Sequence, residues 1–356
     1  MNPKRLFRSA AGPQSRRAFL KTSAFGAFGL AATRPRLGKA LAGTEGWLSA
    51  AEKSKVVLVR HKSVVGPSGK VQSPLLEEMV DRALTTFAGR PSAADAWRQF
   101  VSPEDAVGLK VNTLGCMDIK GTDYTQHFSA VNEAVSAALR KAGVRDEKII
   151  VWDRSEEEMT EAGLVVQKDA SRRRVIANKV SRRDAGDYAP ASYPVGSLQS
   201  RVSRILAEDC TALVNIAIPK THCGAVFTCS LKNHYGTVDN PGRMHANNCS
   251  RPWIAEVNAI PAIRQKQKLI LVDALLMVIE GGPRWDRRFI RPFGGILVGT
   301  DPVAVDAVAL DLLDAQRTAE GMDALSPRVP HIGLAEELGL GRSRKEDIDL
   351  VTVELG

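Results

Sequence analysis

Ala106-Val107-Gly108-Leu109-Lys110-Val111-Asn112-Thr113 is an apolar run that closes on polar groups. The next patterned stretch, Ala130–Ala142, places its apolar residues at helical spacing and stops at Gly143; Lys148–Trp152 is a second β-branched run and leads into Asp153. Strand, helix and strand in succession are the unit of a parallel sheet covered on both faces. Working outward, Lys55–His61 reads as a strand, about Ser73–Gly89 as a helix, and Ser155–Ala162 as a short acidic helix. A polar, Arg-rich stretch marks a candidate subdomain boundary near 170–195. Beyond it, Leu198–Ala207 reads as helical, Ala212–Ile218 as a strand and Pro252–Gln267 as a helix. Leu269–Leu275 and Gly295–Gly299 follow as strands, Asp301 caps a helix that has Pro302 at its first position, and Ile348–Glu354 closes the chain as a strand. The fold class is therefore α/β, a mostly parallel sheet with helices on both faces.

Such sheets bind ligands outside the carboxyl ends of their strands. Here the apolar runs finish in Lys110 and Asn112, in Asp153, in Lys220 and His222, in Asp273, and in Asp301. The reading places all of these groups at one edge. Asp306 adds a carboxylate among apolar neighbours, from Val303 to Leu310, and in that setting it needs a cation or several hydrogen-bond donors.

Over its 356 residues the chain carries 49 Lys+Arg against 40 Asp+Glu. Lys4, Arg5, Arg8, Arg16, Arg17, Lys21, Arg34, Arg36 and Lys39 account for the whole excess, because residues 1–42 contain no acidic side chain. The remainder is neutral, so bulk charge gives no support to a nucleic-acid partner, and none is expected. Ser15-Arg16-Arg17-Ala18-Phe19-Leu20-Lys21 resembles a twin-arginine export signal. It is followed by a weakly apolar stretch, Thr22–Thr33, too short to span a bilayer, and by Ala40-Leu41-Ala42, a small-x-small cleavage pattern. This predicts a mature chain of residues 43–356, exported to the periplasm by the twin-arginine translocase and left without a membrane span after cleavage. That route carries folded passengers, often loaded with a cofactor, which directs the search toward a metal or an anionic cofactor.

The five cysteines (Cys116, Cys210, Cys223, Cys229 and Cys249) include no C-x-x-C pair, so ferredoxin-type or rubredoxin-type ligation is not indicated. Residues 219–249 concentrate His222, Cys223, Cys229, His234, His245 and Cys249, with Lys220, Lys232, Asn233 and Arg243 between them. Imidazole and thiolate suit a metal, which makes His222, His245, Asp301 and Asp306 candidate ligands, with Cys223 and Cys229 behind them. Lys110, Asn112, Lys220, Lys232, Asn233 and Arg243 instead describe a donor-rich crevice for an anion, with Asp273 at its edge. In that reading Lys220, His222, Lys232 and Asn233 are the candidate catalytic groups. No Gly-x-Ser-x-Gly elbow, Walker loop or Gly-x-Gly-x-x-Gly turn occurs.

Val107-Gly108-Leu109-Lys110-Val111-Asn112, Ile218-Pro219-Lys220-Thr221-His222 and Ser230-Leu231-Lys232-Asn233-His234-Tyr235-Gly236 resemble blocks of the family described as domain of unknown function 362. Glu280-Gly281-Gly282-Pro283 and Thr300-Asp301-Pro302-Val303-Ala304-Val305-Asp306 continue the resemblance, in the family's order. It implies an α/β protein of bacterial type, often in redox or iron–sulfur contexts, and no settled reaction. Longer relatives carry ferredoxin-like Cys motifs that this chain lacks, and Arg284-Trp285 stands where relatives tend to be glycine-rich. Three functions follow as expectations. One is an exported protein holding a metal or anionic cofactor in a redox or accessory role. The others are a cofactor-free enzyme on an anionic small molecule, and a partner of another exported redox protein.

Overall fold

A computed structural model describes residues 53–178, 185–249 and 252–356. The expected export signal, in residues 1–42, lies outside these residues. The strands are β1 (Ser54–Arg60), β2 (Val107–Lys110), β3 (Ile149–Asp153), β4 (Arg174–Ala177), β5 (Tyr188–Val195), β6 (Leu198–Ser203), β7 (Ala212–Ala217), β8 (Lys220–His222), β9 (Val226–Thr228), β10 (Gln267–Val278), β11 (Ile290–Gly299) and β12 (Ile348–Glu354). The helices are α1 (Ser73–Ala88), α2 (Ala93–Trp97), α3 (Gln126–Lys141), α4 (Glu156–Glu161), α5 (Ser230–Asn233), α6 (Trp253–Ala259), α7 (Pro261–Lys266), α8 (Pro302–Ala319) and α9 (His331–Glu337).

Among the described residues ten strands form one sheet, ordered β12-β1-β11-β10-β7-β2-β3-β4, with β8 on β10 and β9 on β8. Pairing is parallel except at β11, antiparallel to both β1 and β10, and at the β8–β9 hairpin. Alternation along the strands divides the side chains between two cores. Val57, Leu109, Val151, Val214 and Leu271 pack toward Leu76 and Met79 of α1 and Val131 and Val135 of α3. Val56, Ile150, Trp152, Leu213 and Ile270 face the other way, toward Ile254 and Val257 of α6 and Val305 and Ala309 of α8. Both faces are thus covered, as a parallel sheet requires. No helix of the described residues is long and apolar enough to cross a membrane.

Two expected elements differ. Leu198–Ala207 is not a helix: Leu198–Ser203 pairs antiparallel with β5, Val195 opposite Leu198, across a turn where Gly196 has φ +57°. Leu198, Ser200 and Val202 are buried in alternation, a period of two that the helical reading overlooked. The helix expected over Pro252–Gln267 is two helices. Pro261 has no N–H to continue the first and starts the second.

Candidate anion-binding site

The carboxyl ends of β2, β3 and β8 and the turn of α5 enclose a cavity of about 110 Å³. Its wall includes Lys110, Asn112, Asp153, Arg154, Lys220, His222, Lys232, Asn233 and His245. Strand alternation explains part of this convergence. Lys110 and Asn112 share a face of β2 and its extension, and Lys220 and His222 share a face of β8. Asp306 explains another part. Its carboxylate accepts from Ser230 N at 2.7 Å, Ser230 Oγ at 2.6 Å and Leu231 N at 3.2 Å, so it caps the N-terminus of α5. The turn carrying Lys232 and Asn233 is thereby anchored to α8. Burial pushes the Asp306 carboxyl up to about 6 against the pull of these donors.

The cations of the wall fall into two kinds. Lys110 is matched: its Nζ donates to Asp153 Oδ1 at 2.7 Å, Val111 O at 2.6 Å and Asn233 Oδ1 at 3.1 Å. Asp153 also accepts from Thr113 N, Thr113 Oγ1 and Arg154 N, each at 2.8 Å. Burial raises the Asp153 carboxyl, but Lys110 and the Thr113 donors outweigh it and hold the group below its ordinary value. Arg154 is likewise engaged, by Glu158. Lys220 and Lys232 are unmatched. Lys220 Nζ donates to Leu114 O at 2.8 Å and lies 5.3 Å from the Trp285 ring centroid. Lys232 Nζ lies 3.4 Å from His245 Nε2 and 3.9 Å from the Tyr235 ring centroid. Among the described residues neither has a carboxylate at ion-pair distance, and burial pushes each ammonium down to about 8.

His222 is fixed in one protonation form. Gly224 N at 2.9 Å and Ala225 N at 3.1 Å both donate to its Nδ1, so the ring proton sits on Nε2. Burial, with Lys232 and His245 nearby, pushes the imidazole down to about 2, which favours the neutral ring with its Nε2–H as a donor. A ring whose Nε2 carries the proton has no lone pair there for a metal. His245 is oriented the other way, with Nδ1 donating to Pro241 O at 2.9 Å and Nε2 facing the Lys232 ammonium.

Other predicted residues lie elsewhere. Asp301 was placed at this edge on the assumption that β11 runs with its neighbours. Because β11 is antiparallel, Gly299 pairs with Val56 and Ile270 near the starts of β1 and β10, and Asp301 follows at the opposite edge. There it caps α8, accepting from Val303 N at 2.8 Å and Ala304 N at 3.0 Å, as its sequence position predicts, and also holds Ser54 Oγ and Arg342 N. Asp273 shares the face of Leu269 and Leu271, so it points toward α3 and pairs with His127 Nδ1 at 2.5 Å instead of facing the cavity. Arg243 is exposed, and its neighbours Pro241, Gly242 and His245 form the wall in its place.

The donor set does not fit a metal or a cluster. Asp301 and Asp306 are spent on backbone N–H groups away from the cavity, and Cys223 is exposed while Cys229 is buried. Burial pushes the Cys229 thiol well up. Among the described residues no group of three or more His, Cys, Asp or Glu side chains is arranged to hold a metal ion. Asp153 ended a predicted strand but was not singled out for the site, and Arg154, Thr228 and Tyr235 were missed. The Arg154–Glu158 spacing, four residues apart on α4 and its lead-in, was the available signal.

Comparison with known proteins adds family and little else. A crystal structure of a Thermotoga maritima protein from a structural genomics programme matches at a TM-score of 0.38 and 11% identity, over 69% of this chain and 60% of that one. The chain thus spans less than two thirds of that protein. No curated protein matches. The family described as Domain of unknown function (DUF362) matches residues 107–311, which leaves the first and last strands outside but includes all three lysines of the crevice. On a match taking in more than half of its sequence, the chain belongs to the DUF362 family.

Proposed function

We propose that the protein binds a small anionic molecule, as cofactor or substrate, in the strand-end crevice. The observation that carries this reading is the pair of buried ammonium groups, Lys220 and Lys232, which have no carboxylate partner among the described residues. Burying one such charge uncompensated is costly, and the fold accepts two in one cavity. An anion placed between them recovers that cost. The neutral Nε2–H of His222 adds a donor of fixed direction. The anionic half of the earlier expectation is thereby favoured over the metal half, because the donor set suits the first.

The test is calorimetric titration of the mature protein with small carboxylates, sulfate and phosphate, repeated on Lys220→Met and Lys232→Met. Saturable binding to the parent, weakened about tenfold to a hundredfold in either variant, is the expected result. A parent protein that binds none of them defeats the reading. A catalytic role is a second reading, favoured by Lys220: an amine pushed to about 8 is near the ideal for proton transfer at neutral pH.

We further assign the protein to the periplasm, delivered by the twin-arginine translocase, on the strength of Arg16-Arg17 and the small-x-small site at Ala40-Leu41-Ala42. An exported redox protein is its natural partner class on that route. Arg16→Lys with Arg17→Lys should leave the chain in the cytoplasm at full length, and unchanged export of that variant would dismiss the assignment.

A further inference from the structure

Lys220 and Lys232 line one cavity but are held differently. Lys232 Nζ sits between two electron-rich groups. His245 donates through Nδ1 to Pro241 O, so its Nε2 lone pair faces Lys232 Nζ at 3.4 Å, and the centroid of the Tyr235 ring lies 3.9 Å away. Both contacts favour the charged form. Lys220 Nζ has its hydrogen bond to Leu114 O at 2.8 Å and an indole centroid at 5.3 Å. One carbonyl acceptor is served equally well by an amine N–H, so this bond survives loss of a proton and leaves the nitrogen lone pair available. Burial holds Lys220 at about 8, so about a tenth of it is uncharged at pH 7, against about three in ten thousand for an exposed lysine. The charged majority binds an anion; the uncharged fraction is a nucleophile. His222 lies two residues along the same face of β8 and offers its Nε2–H. A nucleophilic amine, an ammonium and a neutral donor thus meet at the carboxyl end of one strand and the turn beside it.

We infer that Lys220 is a covalent centre, whose amine forms an imine with a small 2-oxo carboxylate held by Lys232 and the His222 Nε2–H. This rests on the anion-binding reading above. A desolvated lysine beside a second cation is a recurrent way of making an amine nucleophilic near neutral pH. The uncharged Nζ adds to the carbonyl carbon, forming the C–N bond while the carbonyl π pair moves to oxygen. A proton passes from that nitrogen to the oxygen and gives a carbinolamine. The Lys232 ammonium then gives its proton to the hydroxyl, the C–O bond breaks and water leaves, and the nitrogen pair closes the C=N bond as an iminium. The positive charge that began on Lys232 ends on the Lys220 nitrogen, so the step is balanced without a further reactant. In a 2-oxo acid the carboxylate and the departing oxygen sit on adjacent carbons, so one ammonium serves both. An amine and ammonium near 8 suit addition and proton donation at neutral pH.

The experiment incubates the mature parent protein with pyruvate and cyanoborohydride, which reduces an imine to a stable secondary amine, and locates the adduct by peptide mass. The expected result is an adduct on Lys220, formed at least about tenfold faster than on any other lysine. Acetone, which has the carbonyl and no carboxylate, should label Lys220 at least about tenfold more slowly. Lactate, which has the carboxylate and no carbonyl, should suppress labelling by pyruvate. Lys232→Met should keep the adduct on Lys220 but require about tenfold more pyruvate. Absence of an adduct on Lys220, labelling spread evenly over the lysines, or capture at Lys232 instead each overturns the inference. Acetone labelling as fast as pyruvate also overturns it, since no carboxylate would then be recognised. In any of these cases the anion-binding reading stands or falls separately, on the titration with carboxylates, sulfate and phosphate. The mapping on the parent chain decides the matter whether or not the Lys232 variant folds.

Discussion

Lys110 and Lys220 are both fully buried and both face one cavity, yet their surroundings differ in kind. Beside the Trp152 indole, Lys110 Nζ donates to three oxygens, and Asp153 binds four partners at 2.7–2.8 Å. Around Lys220 there is one backbone carbonyl and the face of an indole. Lys232 repeats the second pattern, with an imidazole and a phenol ring. The first arrangement is finished without a ligand and reads as the frame of the site. The second is unfinished, and an unfinished pair of buried charges is what marks a place for something else. Lysine content alone, or position at a strand end, does not make this distinction; counting partners does.

The contrast is broken or sharpened first by removing the frame. Lys110→Met leaves Asp153 buried without its counter-ion and should cost about 3–5 kcal/mol of stability, read from urea unfolding. The same substitution at Lys220 should act with the opposite sign. Taking away an ammonium that burial already disfavours should raise the stability of the anion-free protein by roughly 1–3 kcal/mol below pH 8, while anion affinity falls. If both variants lose stability equally, the division into frame and unfinished pair is wrong.

Titration gives the next test. Lys220 and Lys232 titrate near 8 when folded and at the ordinary lysine value of 10.5 when unfolded. Between these values the unfolded chain holds more protons, so the lysines make stability rise with pH from about 8 to 10.5. Anion binding needs the charged form and should fade over the lower part of the same interval. Stability of the anion-free protein and anion affinity should therefore move in opposite directions above pH 8. Parallel loss of both would show that the lysines are held by something other than burial.

How much of this could be read without coordinates follows the same line. Lys110, Asn112, Lys220 and His222 were legible because strand alternation and the crevice rule depend only on local pattern. Lys232 and Asn233 were legible from their place in a dense polar block. Asp301 was misplaced because strand direction is a tertiary property: nothing in Gly295–Gly299 says that β11 runs against its neighbours. Asp273 was lost to parity, one residue away from the face that looks into the second core. Asp306 was correctly read as needing several donors or a cation, but the donors, Ser230 and Leu231, lie more than seventy residues earlier in the chain. Which lysine has a carboxylate and which does not is set by the meeting of β2, β3, β8 and α5, and no spacing along the chain encodes it.

The smallest expected effect belongs to Gly236, which packs against the finished half. A Cβ there would come within 2.9 Å of Lys110 Nζ and 3.1 Å of Asp153 Oδ1. An ammonium at the end of a flexible chain can ordinarily step aside from such a contact. This one cannot move without stretching bonds to Asp153, Val111 O and Asn233 together. Gly236→Ala should therefore cost about 1–2 kcal/mol in urea unfolding, the usual range for one extra carbon in a packed site. Anion affinity should change by less than about threefold, because the atoms nearest the added methyl belong to Lys110 and Asp153 and not to the unmatched pair. A variant of unaltered stability would mean that the Lys110 cluster is pliant, and the frame would then be as open to rearrangement as the pair it supports.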